Sequence, residues 1–260
     1  MIKGRDKMHF SAIANTDIGI TKETNQDSLC LLHARSNVGE IIMAIICDGM
    51  GGLSKGELAS ATVIRAFDEW FHSELPKELV SLDMEVIASK WDLILKSLNG
   101  KIMEYGREQN VSLGTTFTGM LMVEDTYLIV HVGDSRAYFI GSDLKQITQD
   151  HTFVAREIEA GRMTPEQAAV DERRNVLLQC IGASKTITSQ QLVGKVMPGT
   201  YLLCSDGFRH KITKQEMIGA FHKDQLVNTD VMSSRASTVI DGVKRRGEKD
   251  NISVIVIKAE

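Results

Sequence analysis

Four aspartates sit where apolar runs begin or end. Asp27 opens the run in "TNQDSLCLL", Asp48 closes "IIMAIICD", Asp206 follows "YLLCS" and Asp250 precedes "NISVIVIK". Asp48 and Asp206 are each followed at once by glycine, and Asp48 leads into "DGMGG". Taken singly, an Asp-Gly step after a strand is an ordinary turn. Taken together, the set asks for a cation. Ionised carboxylates gathered at the edge of a core repel one another and lose hydration, a cost that a divalent ion offsets. A donor set made only of oxygen suits a hard ion such as Mg²⁺ or Mn²⁺. Gly49, Gly51 and Gly52 beside Asp48 add weight to that reading over a plain turn.

The elements that must carry these acids follow from periodicity. Strand-like runs are "FSAIAN", "SLCLLHA", "IIMAIICD", "TFTGMLMV", "TYLIVHVG", "RAYFI", "QLVGKV", "YLLCSD" and "ISVIVIKA". Several alternate apolar and polar residues, as half-buried antiparallel strands do. Turn residues in "VEDTYLIV" and "IGSDLKQI" predict hairpins. Helical spacing covers Glu57 to His72, with Ala59, Val63, Ala66, Phe67 and Trp70 on one stripe. It also covers Asp83 to Asn110 through Val86, Ile87, Leu93, Ile94, Leu98 and Ile102, and Val227 to Arg246 through Val231, Ala236, Val239, Ile240 and Val243. Strands, then two long helices, then more strands is not a βαβ alternation. The order predicts an α+β fold in which antiparallel sheets carry helices on their outer faces.

Composition narrows the function classes. A hydrophobic fraction of 43% with 25% charge is that of a soluble globular chain. Mean hydropathy of -0.09 and the lack of a long charge-free apolar stretch exclude a membrane span. "MIKGRDKMHFSAIAN" has no apolar export core, so a cytoplasmic location is expected. Cys30, Cys47, Cys180 and Cys204 lie far apart with no C-x-x-C pair, which argues against a zinc or disulfide role. A net charge of -4 leaves no electrostatic footprint for nucleic acid, and "KRRGEK" reads as a solvated helix end.

Seven segments then carry a resemblance: "TDIGITKETNQD", "CDGMGG", "LGTTFTG", "HVGDSRAYF", "ITQDHT", "CSDGF" and "KDNISVIVI". In order and approximate spacing they are similar to the bacterial metal-dependent protein phosphatases, the PPM or type 2C family. The likeness runs from about Ala14 to the C-terminus. It implies a four-layer α-β-β-α sandwich of two antiparallel sheets flanked by helix pairs, with two Mn²⁺ or Mg²⁺ ions at one end. It also implies one catalytic domain over residues 1–260, with a flap near 152–175 beside the site. By the same resemblance Asp48 bridges the two ions, Gly49 offers its carbonyl to the second, and Asp206 and Asp250 hold the first. Asp27 orients water, and Asp134 with Asp206 forms a weaker third site. Asn251 and the pair Asp150-His151 serve as scaffolding. The implied reaction is hydrolysis of phosphoserine or phosphothreonine in proteins, by in-line attack of a hydroxide held between the ions. An opposing serine/threonine kinase is implied as partner, and a monomer is the default assembly.

Three positions depart from the family pattern. Lys22 stands where many members carry an arginine that forks onto phosphate, and a lysine is a mobile point charge instead. Gln26 replaces a common Glu and removes one negative charge, while it can still hydrogen-bond metal-held water. Met50 occupies the place of a proton-donating His in animal members, so water is expected to protonate the leaving group. Lys22 and Gln26 motivate an alternative, a phosphatase-like fold that binds a phosphoprotein or signalling partner without turnover. A "GDS" serine esterase built on Ser135 is the weaker rival, because no D-x-x-H follows Ser135 in the chain to serve it.

Overall fold

The computed structural model describes residues 8–50 and 55–260; Gly51 and Gly52, singled out above, lie outside the described residues. The first strands are β1 (Phe10–Asp17), β2 (Ser28–Ser36) and β3 (Gly39–Cys47), followed by helices α1 (Gly56–Ser73), α2 (Leu75–Glu78) and α3 (Met84–Gln109). Then come β4 (Phe117–Val123), β5 (Thr126–Val132), β6 (Arg136–Ile140) and β7 (Leu144–Gln146), with α4 (Phe153–Glu159) and α5 (Pro165–Val170) after them. The chain closes with β8 (Gln190–Lys195), β9 (Gly199–Cys204), α6 (Asp206–Arg209), α7 (Lys214–Phe221), α8 (Thr229–Arg245) and β10 (Ile252–Ala259).

The strands form two five-stranded antiparallel sheets, ordered β1-β10-β9-β6-β7 and β2-β3-β4-β5-β8. Their facing sides interdigitate: Ile42, Ala44, Ile46 and Met120 of one meet Phe10, Ala137, Leu203 and Ile255 of the other. On the outside, α1 and α3 cover the β2–β8 sheet, and α7 and α8 cover the other. This is the four-layer α-β-β-α sandwich expected, and it explains why β3 reads as an unbroken apolar run. Ile41, Met43, Ile45 and Cys47 face the helices, whereas the residues between them face the second sheet. A strand buried on both faces has no polar side to alternate with.

Both expected hairpins form, β4 into β5 and β6 into β7. One helix face differs from the spacing given above. On α3, Val86 and Leu93 are exposed, and the buried stripe is Met84, Ile87, Ala88, Trp91, Leu95, Leu98 and Ile102. Trp91 sets that face by packing edge-on against Phe67 and Trp70, with ring centroids 5.0 and 5.4 Å apart. Such an aromatic cluster contributes more than one aliphatic side chain could by turning inward. Residues 152–175 hold the short helices α4 and α5, capped by Thr152 and by a Thr164–Gln167 capping box. Phe153 lies beneath the guanidinium groups of Arg156 and Arg173.

Candidate active site

Strand register groups the acids sheet by sheet. Ser28 pairs with Cys47, so Asp27 and Asp48 flank one end of the β2–β3 ladder. Val254 pairs with Cys204 and Arg136 with Cys204, so Asp250 and Asp206 flank a shared end of the other sheet, and Asp134 enters that end on the link from β5 to β6. The five carboxylates feel one another's charge: Asp48 is pushed well above the usual carboxylate range by burial first, then by Asp27, Asp206, Asp134 and Asp250.

The backbone of Asp48 is fixed from both sides. Its N–H donates to Thr116 Oγ1 at 2.9 Å, and its carbonyl accepts from the Thr116 N–H at 2.9 Å and from Thr115 Oγ1 at 3.0 Å. The "GTT" segment is thus a clamp on the strand end. Gly49 donates its N–H to the Gln26 carbonyl at 3.1 Å. A Cβ on Gly49 would lie 2.5 Å from that same oxygen, so the close approach admits only glycine. Gly207 serves the other sheet in the same way, because a Cβ there would meet the Asn251 carbonyl at 2.2 Å.

Burial raises Asp27 and Asp134 each to about 7, and Asp206 to about 6. For Asp27 the Ser253 and Ser205 hydroxyls offset part of that rise, and the charges of Asp206 and Asp250 add to it. Both Asp27 carboxylate oxygens are buried without a hydrogen-bond partner of ordinary geometry. For Asp134 and Asp206 the Arg209 guanidinium pulls the other way. Arg209 reaches the Asp134 carbonyl at 3.2 Å and its carboxylate at 3.3 Å. Orphaned, mutually repelling oxygens on two sheets fit a divalent cation. Among the described residues no three such side chains converge tightly enough to hold one ion alone. A hard ion that keeps several waters does not need them to.

Besides Arg209, Lys22 supplies a cation among these acids: its ammonium lies 2.8 Å from Asp250 Oδ1. Partial burial lowers the Lys22 pKa, but the Asp250 contact and the charges of Asp48 and Asp206 outweigh it and raise the value overall. Gln26 turns its side-chain amide to Glu57 at 3.2 Å. Asn251 staples the loop before β2 to β10, accepting from the Gln26 N–H and donating to the Ile18 and Thr24 carbonyls. Asp150 is held bidentately by Arg136 at 2.8 and 2.7 Å, and His151 Nδ1 accepts from the Gly133 N–H at 3.2 Å. Ser135 is fully buried and its hydroxyl pairs with Thr116 Oγ1 at 2.9 Å. A hydroxyl so enclosed has no path to an ester, so "GDSR" braces the clamp.

Sequence reasoning passed over Arg209, His210 and Glu248. His210 Nε2 lies 3.7 Å from Asp206 and its Nδ1 3.5 Å from Glu248. The signal was present in "SDGFRH", where basic residues three and four positions after Asp206 share its helical face.

The protein phosphatase 2C family has a profile that matches residues 20–241, and this chain belongs to that family. It is 28% identical over 250 residues to the serine/threonine phosphatase stp of Listeria monocytogenes serotype 4b, with 94% of each chain covered. Among solved structures it is similar to serine/threonine phosphatase Stp1 from Staphylococcus aureus, at 28% identity, full coverage of both chains and a TM-score of 0.82. It is also similar to the catalytic domain of the serine threonine protein phosphatase PstP in complex with two manganese ions. There the identity is 26%, the coverage 97% of this chain and 99% of that one, and the TM-score 0.76.

Proposed function

We propose that this chain is a metal-dependent protein serine/threonine phosphatase, acting as one catalytic domain with residues 152–175 as a flap beside its site. The observation that carries the reading is the set of aspartates brought to one end of the sandwich by both sheets, held there at pKa values that ask for a cation. The names of the relatives support it, as does the pair of manganese ions in the PstP structure.

Asp48, Asp206 and Asp250, with the Gly49 carbonyl, are the groups that would hold two Mn²⁺ or Mg²⁺ ions. Asp134 with Asp206 would hold a third, weaker one. Bound there, such ions make hydroxide available near neutral pH and neutralise charge on the phosphoryl oxygens. The chain's own part is positional. Asp27, its carboxylate buried beside the Ser253 and Ser205 hydroxyls, orients water toward phosphorus. Lys22, on a flexible stem, meets the phosphate as a point charge. Asn251 and the Thr115–Thr116 clamp keep the two sheets' acids in register. Met50 has no proton to give, so the serine or threonine oxygen leaves with a proton from water. A phosphoprotein is the substrate this chemistry serves, and an opposing serine/threonine kinase must make it. The protein is read as a cytoplasmic monomer; among the described residues no helix is long and apolar enough to cross a membrane.

A titration of Mn²⁺ against hydrolysis of p-nitrophenyl phosphate and a phosphothreonine peptide tests the reading. Turnover should rise with the ion, and Asp206→Asn should lower it by about a hundredfold or more while weakening ion binding. Binding of phosphopeptide with no ion-stimulated turnover would favour the non-catalytic alternative, for which the Lys22–Asp250 pair is the motivating contact.

A further inference from the structure

Beside the acid cluster, between the flap and the end of α8, runs a cavity of about 560 Å³ lined by Ala169, Arg174, His210, Lys211, Glu248 and Lys249, among others. Arg174, Lys211 and Lys249 are all exposed there, and among the described residues none of the three pairs with a carboxylate. The one acid in the lining, Glu248, is buried and already engaged: it faces His210 and accepts the N–H groups of Lys249 and Asp250. Three open cations therefore line one trough on a chain whose net charge is -4. A second cavity of about 300 Å³ continues it under α4 and α5, sharing Arg174, Asn175 and His210 and ending on Arg136 and Arg209.

The trough adjoins the site through His210 and through Lys249, the neighbour of Asp250. His210 lies in both cavities and faces Asp206, while Arg209 touches Asp134. A peptide whose phosphorylated side chain reaches the aspartates can lay neighbouring residues past His210 and into this channel. Unpaired cations at such a rim favour negative partners and repel positive ones, which biases selection among substrates.

We propose that the trough of Arg174, Lys211 and Lys249 is a specificity subsite for acidic residues flanking the phosphoserine or phosphothreonine of a protein substrate. The proposal rests on the phosphatase reading above for the placement of the phosphate, and its test separates the two. Two phosphothreonine peptides are compared on Mn²⁺-loaded protein, identical except that flanking Glu residues in one are Lys in the other. kcat/KM is measured for each, and binding of the fluorescein-labelled peptides is read by anisotropy. The wild type should prefer the acidic peptide by about tenfold in both measurements, less so at high salt.

The double variant Arg174→Glu/Lys249→Glu should abolish or invert the ratio between the peptides, a ratio that cancels any general change in activity. Arg65→Glu/Lys101→Glu, which makes the same change of net charge on α1 and α3, should leave the ratio as in the wild type. Equal handling of the two peptides by the wild type would overturn the subsite, and so would a preference that survives in the Arg174/Lys249 variant. Charge-selective binding with no turnover would instead sink the phosphatase reading and leave the trough standing.

Discussion

Lys22 Nζ stands 2.8 Å from Asp250 Oδ1, a contact between the first loop of the chain and the residue that leads into its last strand. The pair joins the position expected to meet phosphate to one expected to hold an ion. Both roles need Lys22 to release Asp250, so an ion arriving at Asp250 competes with a cation already tethered there.

Removing that competitor has a measurable sign. Lys22→Ala should tighten Mn²⁺ binding by roughly fivefold, about 1 kcal/mol for a charge-assisted contact that is partly open to solvent. It should also raise KM for a phosphopeptide, since the point charge for phosphate is lost. Isothermal calorimetry on the ion reads the first effect without any turnover. Unchanged or weaker Mn²⁺ affinity in Lys22→Ala would refute the competition.

Asp27 makes the metal-free protein sensitive to pH. Its carboxyl in the fold titrates at about 7 against an ordinary value of 3.8, chiefly because burial disfavours the charge. The folded state thus keeps a proton that the unfolded chain has released. The stability tied to that proton is complete below about 3.8 and is lost as pH rises through about 7. Asp27→Asn, neutral throughout, should therefore be more stable than the wild type at pH 8 without metal, by roughly 2–4 kcal/mol, with the advantage gone by about pH 4. Thermal melts across that range with and without Mn²⁺ decide it. A pH-independent difference would show that Asp27 is not the buried charge described.

Gly207 tests the turn that sets Asp206 against Asn251. A methyl group there would sit 2.2 Å from the Asn251 carbonyl, which is backbone and cannot swing aside. Gly207→Ala should cost about 1–3 kcal/mol in denaturant unfolding and weaken Mn²⁺ binding as the Asp206 side chain shifts. Wild-type stability and ion affinity together would mean that the turn has more slack than its geometry shows.

The layered fold was legible because both signals that define it are local. Alternation in β8 and the stripe of α1 each report a neighbour a few residues away. So was the place of Asp27, Asp48, Asp206 and Asp250 at strand ends, since each stands where an apolar run stops or starts. The α3 face was misjudged because Val86 and Leu93 are apolar yet exposed, and only the Trp91 contacts reveal which stripe wins. Helix α7 went unread because its eight residues carry too few turns for periodicity, although the Thr213–Glu216 capping box announces it. The Lys22–Asp250 pair lies beyond any sequence reading, as no local pattern relates residues so distant along the chain.

The acids divide between the sheets: Asp27 and Asp48 belong to one, Asp206 and Asp250 to the other, and Asp134 to the link from β5 of the first to β6 of the second. A cation bound among them would act as a bolt across two plates, and the gap it would span is filled by Ile42, Ile46, Leu203 and Ile255 between those plates. A methyl lost or gained deep in that filling lets one plate shear against the other, and so retunes the jaws from a place no ligand ever touches.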